Sequence, residues 1–166
     1  MVNKFLIAFA GIVAVMAALV LVPGIGSQPA EFQKDLSIEY SRQNLTRIED
    51  GRLIAASAED LVIRNDRSAV YRNLTDAPDV KQFNISSEKM NSLKGLVIAT
   101  GFIEVEGANY PQKEGLANFT KYTLKLESGA ISKTITWVSL EASEVSVPSI
   151  VRNIGAQLDA IIEMSS

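Results

Sequence analysis

An uninterrupted apolar run near the N-terminus, residues 5–22, constrains this chain more than any other feature of its sequence. The run reads FLIAFAGIVAVMAALVLV, contains no polar side chain and follows Lys4. As a helix it would rise about 27 Å, close to the roughly 30 Å hydrocarbon core of a bilayer. We therefore predict an N-terminal hydrophobic helix within residues 1–23, either a cleaved signal peptide or an uncleaved membrane anchor.

The charge before this run predicts where the rest of the chain lies. Lys4 is expected to stay on the cytoplasmic side, so the following residues are predicted to be extracytoplasmic, secreted or anchored by that single helix. Residues 24–35 are rich in Gly, Pro and polar side chains and are predicted to be a linker. Residues 36–166 then form one extracytoplasmic domain.

Asn-x-Ser/Thr sequons are consistent with export. They begin at Asn44, Asn73, Asn84 and Asn118. In an exported domain each Asn is a candidate acceptor for an N-linked glycan. The alternative is that these residues simply occupy turns and strand edges and carry no glycan.

Composition excludes several classes of function. The chain has no His, no Cys, and a formal net charge of −3. It therefore cannot use Ser-His-Asp or Cys-His catalysis or a His- or Cys-ligated zinc ion, and it lacks a basic footprint for nucleic acid. The acids Glu104 and Glu106 are more typical of a solvated strand edge than of a catalytic pair. We predict a protein that is not an enzyme and holds no metal or cofactor.

Hydropathy patterns predict the secondary structure of the domain. Leu36, Ile38 and Tyr40 alternate with polar residues, which is typical of a half-buried strand, and the Asp-Gly pair that ends at Gly51 predicts a hairpin turn. Further strands are predicted around residues 61–63 and 69–71, followed by a loop over residues 74–79. Residues 122–137 show the clearest hairpin pattern.

Two helices are predicted in the second half. Met90, Leu93, Leu96 and Val97 share one helical face, and Ser86 or Ser87 is placed to cap that helix. The second helix is predicted to begin at Pro148 and to bury Val151, Ile154, Leu158, Ile161 and Ile162. The predicted fold class is α+β: the N-terminal hydrophobic helix, then an antiparallel sheet with two helices on one face, in the order strands, helix, hairpin, helix.

Exposed loops are the predicted places for recognition. One candidate loop contains Arg42, Gln43, Asn44 and Leu45, a second contains Tyr110 and Pro111, and a third runs from Leu140 to Val147. Tyr110 is the best single candidate because a rigid aromatic side chain buries much area at low entropy cost. Its alternative role is packing, as a lid on the edge of the sheet.

Several segments resemble the emfourin family of small protein inhibitors of thermolysin-like metallopeptidases such as protealysin. They are Ser87 to Phe102, Tyr122 to Gly129, Lys133 to Trp137 and Val147 to Val151. The stretch from Ile38 to Arg42 resembles the family's opening strand, but Gln43-Asn44-Leu45 replaces the Gly-Gly-aromatic loop that follows it. The resemblance implies a shared fold and a metallopeptidase partner, and it assigns no functional residue.

Together these patterns predict an exported or membrane-tethered domain that binds a protein without catalysing a reaction. Its most concrete version is an emfourin-like inhibitor that blocks the cleft of a secreted metallopeptidase. The alternative is an accessory or structural subunit of a cell-envelope or membrane complex, held in the membrane through residues 5–22.

Overall fold

The computed structural model describes residues 35–75, 78–99 and 101–165. The predicted signal peptide or anchor at residues 1–23, and all of the predicted linker except Asp35, lie outside the described residues. Among the helices that are described, none is long and apolar enough to cross a membrane.

A six-stranded antiparallel sheet forms the framework of residues 35–165. Its strands are β1 (Leu36–Arg47), β2 (Leu53–Ile63), β3 (Ser68–Asn73), β4 (Asp79–Asn84), β5 (Asn118–Ser128) and β6 (Ile131–Val138). Their spatial order is β4-β3-β2-β1-β5-β6. The first four strands form a meander, and β5 then returns to the other side of β1. β1 is consequently paired along both of its edges.

Two α-helices and a short 3₁₀ turn complete the fold. Helix α1 spans Ser87–Ala99, the 3₁₀ turn spans Phe102–Glu104, and helix α2 spans Ser149–Ser165. The Ser86 hydroxyl accepts a hydrogen bond from the Lys89 N–H at 3.1 Å, as the capping pattern predicts. Gly101, with φ 65°, adopts the left-handed conformation that favours glycine after a helix.

The core lies on one face of the sheet. Alternate residues of β1, namely Leu36, Ile38 and Tyr40, are buried, whereas Glu39 is exposed. The buried strand residues join one cluster with those of both helices, which are Met90, Leu93, Val97, Val151, Ile154, Leu158, Ile161 and Ile162. Because both helices cover the same face, the opposite face of the sheet carries mainly polar side chains.

The predicted fold class is wrong. It begins with an apolar N-terminal helix, whereas the structure is a six-stranded antiparallel sheet with two helices, and no apolar N-terminal helix is among its described elements. Residues 5–22, to which the prediction assigns that helix, lie outside the described part of the chain. The sequence pattern also misses β4 and ends β1 too early, because the polar residues there show little alternation of hydropathy.

Candidate functional site

The predicted binding loop from Arg42 to Leu45 is not a loop. All four residues lie inside β1, paired with β2 on one side and β5 on the other. A bulge in the β1–β2 pairing falls between Asn44 and Leu45. Leu45 packs beside a small buried cluster of Phe119, Val138 and Ala142. The backbone here is therefore occupied by the sheet and does not protrude.

Arg42 instead lies at the centre of a charged cluster between the sheet and α2. Its guanidinium contacts Glu59 Oε2 at 2.6 Å and Asp159 Oδ1 at 3.3 Å. The Tyr40 hydroxyl donates to Asp159 Oδ1 at 2.9 Å, and the Tyr71 hydroxyl donates to Glu59 Oε1 at 2.8 Å. We call these five residues the Arg42 cluster. Each carboxylate has both a cationic and a phenolic partner, so the cluster links α2 to β1, β2 and β3.

Burial perturbs the ionisation of this cluster. It raises the pKa of the Asp159 carboxyl above its ordinary value, against the opposite effects of the Tyr40 hydrogen bond and the Arg42 charge. Burial and Asp159 also hold the pKa of Tyr40 well above its ordinary value. Burial and the Glu59 carboxylate raise the pKa of Tyr71 to about 12. Both phenols therefore remain neutral hydrogen-bond donors at ordinary pH.

A cleft of about 460 Å³ lies next to this cluster, between α2 and the strands β5 and β6. We call it the aromatic cleft, because Tyr122 and Trp137 stack in it with ring centroids 5.3 Å apart and Tyr40 lies 6.2 Å from Trp137. Its other lining residues are Thr120, Val138, Ser139, Leu140, Glu141, Arg152, Asn153, Gly155, Ala156 and Asp159. Trp137 is only 4% exposed, so it is chiefly a core residue.

A second and larger cavity, of about 660 Å³, lies between β4 and the C-terminal end of α2. We call it the β4 groove. It is lined by residues 81–86 together with Lys89, Ile161, Met164 and Ser165. Met164, which lines the groove, is 85% exposed. Val80 is 57% exposed, but it lies on the other face of β4 and does not line the groove. The groove thus combines the exposed side chain of Met164 with an edge strand.

Tyr110 and Pro111 lie beside the opposite edge of the sheet. Tyr110 is 8% exposed, and its hydroxyl donates to the Glu106 carbonyl oxygen at 3.0 Å. Its N–H donates to the Thr136 carbonyl oxygen at 2.9 Å, so the segment 108–110 pairs with β6. The packing alternative for Tyr110, a lid on the sheet edge, is the arrangement found.

The predicted glycan acceptors differ in their surroundings. The Asn44 side chain donates to Ser57 Oγ at 2.7 Å and accepts from Thr120 Oγ1 at 2.8 Å, within the sheet. The Asn73 side chain accepts from Thr75 Oγ1 at 2.5 Å. Asn84 and Asn118 are exposed, at the end of β4 and the start of β5.

No protein-family model and no curated protein sequence matches this chain. The resemblance to emfourin therefore stays a prediction. Over residues 35–75, 78–99 and 101–165, no group of three or more acidic side chains is arranged to hold a metal ion.

Sequence reasoning missed Glu59, Asp159 and the whole β4 groove. The two acids come together with Arg42 only through strand pairing and the packing of α2. For the groove, the available signal was the pair of apolar residues Phe83 and Ile85 within a polar segment, which a hydropathy pattern does not distinguish from a loop.

Proposed function

We propose that this chain is a non-catalytic protein-binding domain that acts outside the cytoplasm, either secreted or held at the membrane by residues 5–22. The apolar N-terminal run and the sequons support the location. The β4 groove carries the proposal of protein binding, because exposed apolar side chains beside an unprotected edge strand are typical of sites that receive another protein.

The groove favours an accessory subunit over an inhibitor. An accessory subunit needs an apolar surface that its complex covers, and Met164 in the groove and Val80 on the other face of the same edge strand each supply exposed apolar area of that kind. A peptidase inhibitor needs a protruding segment, whereas Arg42 to Leu45 lie within β1. We therefore place the binding surface at β4 rather than at the predicted loop.

Site-specific photo-crosslinking in the native cells would test the β4 surface. A benzophenone amino acid would replace Val80 in the full-length chain, with the exposed Glu49 in the β1–β2 turn as the matched control position. We expect an adduct of discrete mass from position 80 and none from position 49. Equal adduct patterns from both positions would contradict binding at β4.

Inhibition of a metallopeptidase is the second proposal, supported by the emfourin resemblance. The segments that carry this resemblance form α1, much of the β5–β6 hairpin and the beginning of α2. Titrating a thermolysin-like metallopeptidase with the full chain in detergent should reduce its activity linearly to zero near one equivalent. Full activity at a large molar excess would exclude this function and leave the accessory role.

Glycosylation is proposed at Asn84 and Asn118, which are exposed. Asn44 is exposed as well, but its side chain, like that of the half-buried Asn73, hydrogen-bonds to neighbouring side chains. Intact-mass spectrometry of the native protein should show added mass that the Asn84→Gln and Asn118→Gln variants each reduce. Added mass retained when both are replaced would place the glycan elsewhere.

A further inference from the structure

The outer edge of β4 presents the backbone groups of alternate residues. The Ile85 N–H donates to the Arg67 carbonyl oxygen at 3.1 Å, so the backbone hydrogen-bonding groups of Ile85 point toward β3. This direction alternates from residue to residue along an antiparallel strand, so the N–H and C=O groups of Lys81 also point toward β3. The N–H and C=O groups of Val80 and Gln82 therefore point away from the sheet.

The two edges of the sheet differ in how they are covered. At β6, the Tyr110 N–H donates to the Thr136 carbonyl oxygen and the Thr136 N–H donates to the Ala108 carbonyl oxygen, at 2.9 and 2.8 Å. At β4, none of the described segments pairs with the outer edge. An edge strand that is exposed in this way is a template for another strand.

The side chains of β4 complement a second copy of β4 that runs antiparallel to it. When Val80 lies opposite the partner subunit's Val80, Asp79 lies opposite the partner subunit's Lys81, and Lys81 opposite the partner subunit's Asp79. Opposite charges and β-branched residues that face each other across strands stabilise a sheet. Within one chain the Lys81 ammonium lies 3.6 Å from Asp79 Oδ2, and because the two side chains are about half exposed, at 43% and 55%, both can also be reached by a second chain.

Other symmetric registers lose these pairs. Only registers that bring outward-facing residues opposite each other form hydrogen bonds. The next of these places Lys81 opposite the partner subunit's Lys81, and the one after it places Lys81 opposite the partner subunit's Phe83. Charge complementarity thus selects the register centred on Val80.

From this complementarity we infer that the partner at β4 is a second copy of this chain, joined edge to edge so that two six-stranded sheets continue as one. The inference rests on the proposed function, since it names the protein that binds at β4. In the selected register the backbone N–H of Gln82 also donates to the carbonyl oxygen of the partner subunit's Pro78. Proline has no N–H to donate, but its carbonyl oxygen can still accept this hydrogen bond.

Cysteine crosslinking would measure both the contact and its register, because the chain has no cysteine of its own. In the full-length chain, Val80→Cys introduces one thiol in each subunit. The Cα atoms of the two cysteines would lie about 5.5 Å apart, within the roughly 4.4–6.8 Å between Cα atoms that a disulfide allows. Gln82→Cys, on the same strand and face, places its Cα about 14 Å along the strand from its symmetry mate. Under mild oxidation we expect the Val80→Cys variant to double in mass, as a disulfide-linked dimer, and the Gln82→Cys variant to keep the mass of the monomer.

Charge reversal tests the cause of the contact. In the Val80→Cys background, Asp79→Lys and Lys81→Asp should each abolish the crosslink, and the two together should restore it. Failure of the double variant to restore it, or a crosslink from Gln82→Cys in place of Val80→Cys, would overturn the inference. Because both side chains are exposed, these changes should leave the fold intact, which circular dichroism can check.

The dimer and the proposed function fail in different ways. If Val80→Cys forms no crosslink while the photo-crosslinker at position 80 captures a different protein, the dimer is excluded and protein binding at β4 stands. If position 80 captures neither a second copy nor another protein, both are overturned.

Discussion

Gly155 lies in the middle of α2, directly over the ring of Trp137. A Cβ atom added at this position would lie 2.8 Å from Trp137 Cζ2, whereas ordinary Cβ contacts begin near 3.4 Å. The ring cannot easily move aside, because it stacks on Tyr122 at 5.3 Å. Either α2 or the aromatic stack must therefore shift by about 0.6 Å to accept Gly155→Ala.

Two opposing effects determine the stability of this variant. Alanine in a helix interior is favoured over glycine by about 1 kcal/mol. Overpacking a buried site costs about 1–3 kcal/mol, and the rigidity of the stack places this site near the upper end of that range. We expect Gly155→Ala to lower the free energy of unfolding by about 2 kcal/mol.

Gly95 provides the matched control. It lies in α1, it is exposed, and an added Cβ would meet nothing within 4 Å. Gly95→Ala should therefore raise the free energy of unfolding by roughly 0.5–1 kcal/mol. Urea unfolding, followed by the fluorescence of Trp137 and by circular dichroism, measures both variants. A Gly155→Ala protein as stable as Gly95→Ala would refute the close packing of α2 on Trp137.

Three further predictions concern the polar contacts. Arg42→Met should cost about 2 kcal/mol of stability, because it leaves two half-buried carboxylates without a cation. The control Arg52→Ala, at an exposed ion pair, should change stability by less than about 0.5 kcal/mol. Equal urea midpoints for the two variants would contradict this. Because the pKa of Asp159 is raised in the folded state, the carboxyl binds protons more tightly there, and stability should fall as pH rises from 3.8 to that raised value. Asp159→Asn should remove this part of the pH dependence, and an unchanged slope of unfolding free energy against pH would contradict the assignment. Tyr110→Phe should cost about 1 kcal/mol through the lost hydrogen bond from its hydroxyl, and a variant of unchanged stability would indicate that this hydrogen bond does not stabilise the fold.

The helices illustrate how much local pattern predicts. The apolar residues that the pattern assigns to one face of the second helix, from Val151 to Ile162, are all buried in α2. A helix brings residues three and four positions apart onto one face, so hydropathy alone identifies that face. The β5–β6 hairpin is predicted from an equally local pattern, because alternate residues of a strand share a face.

The strands show where such prediction fails. Residues 42–45 resemble a polar loop, yet they form part of the most extensively paired strand, because β2 and β5 satisfy their backbone groups from both sides. β4 has a polar, loop-like sequence and is nevertheless held by β3. Pairing between backbones depends on neighbours far away in the chain, and side-chain hydropathy does not record those neighbours.

The sequence alone was sufficient to exclude histidine and cysteine chemistry and to identify the buried faces of the helices, since these depend on composition or on short-range periodicity. The tertiary structure decided the rest. It brought Arg42, Glu59 and Asp159 together across more than 100 positions of sequence, buried Tyr110 against β6, and left β4 at an edge of the sheet. Those outcomes arise from strand order and helix packing, which are contacts between distant segments and therefore have no signature in any single stretch of residues.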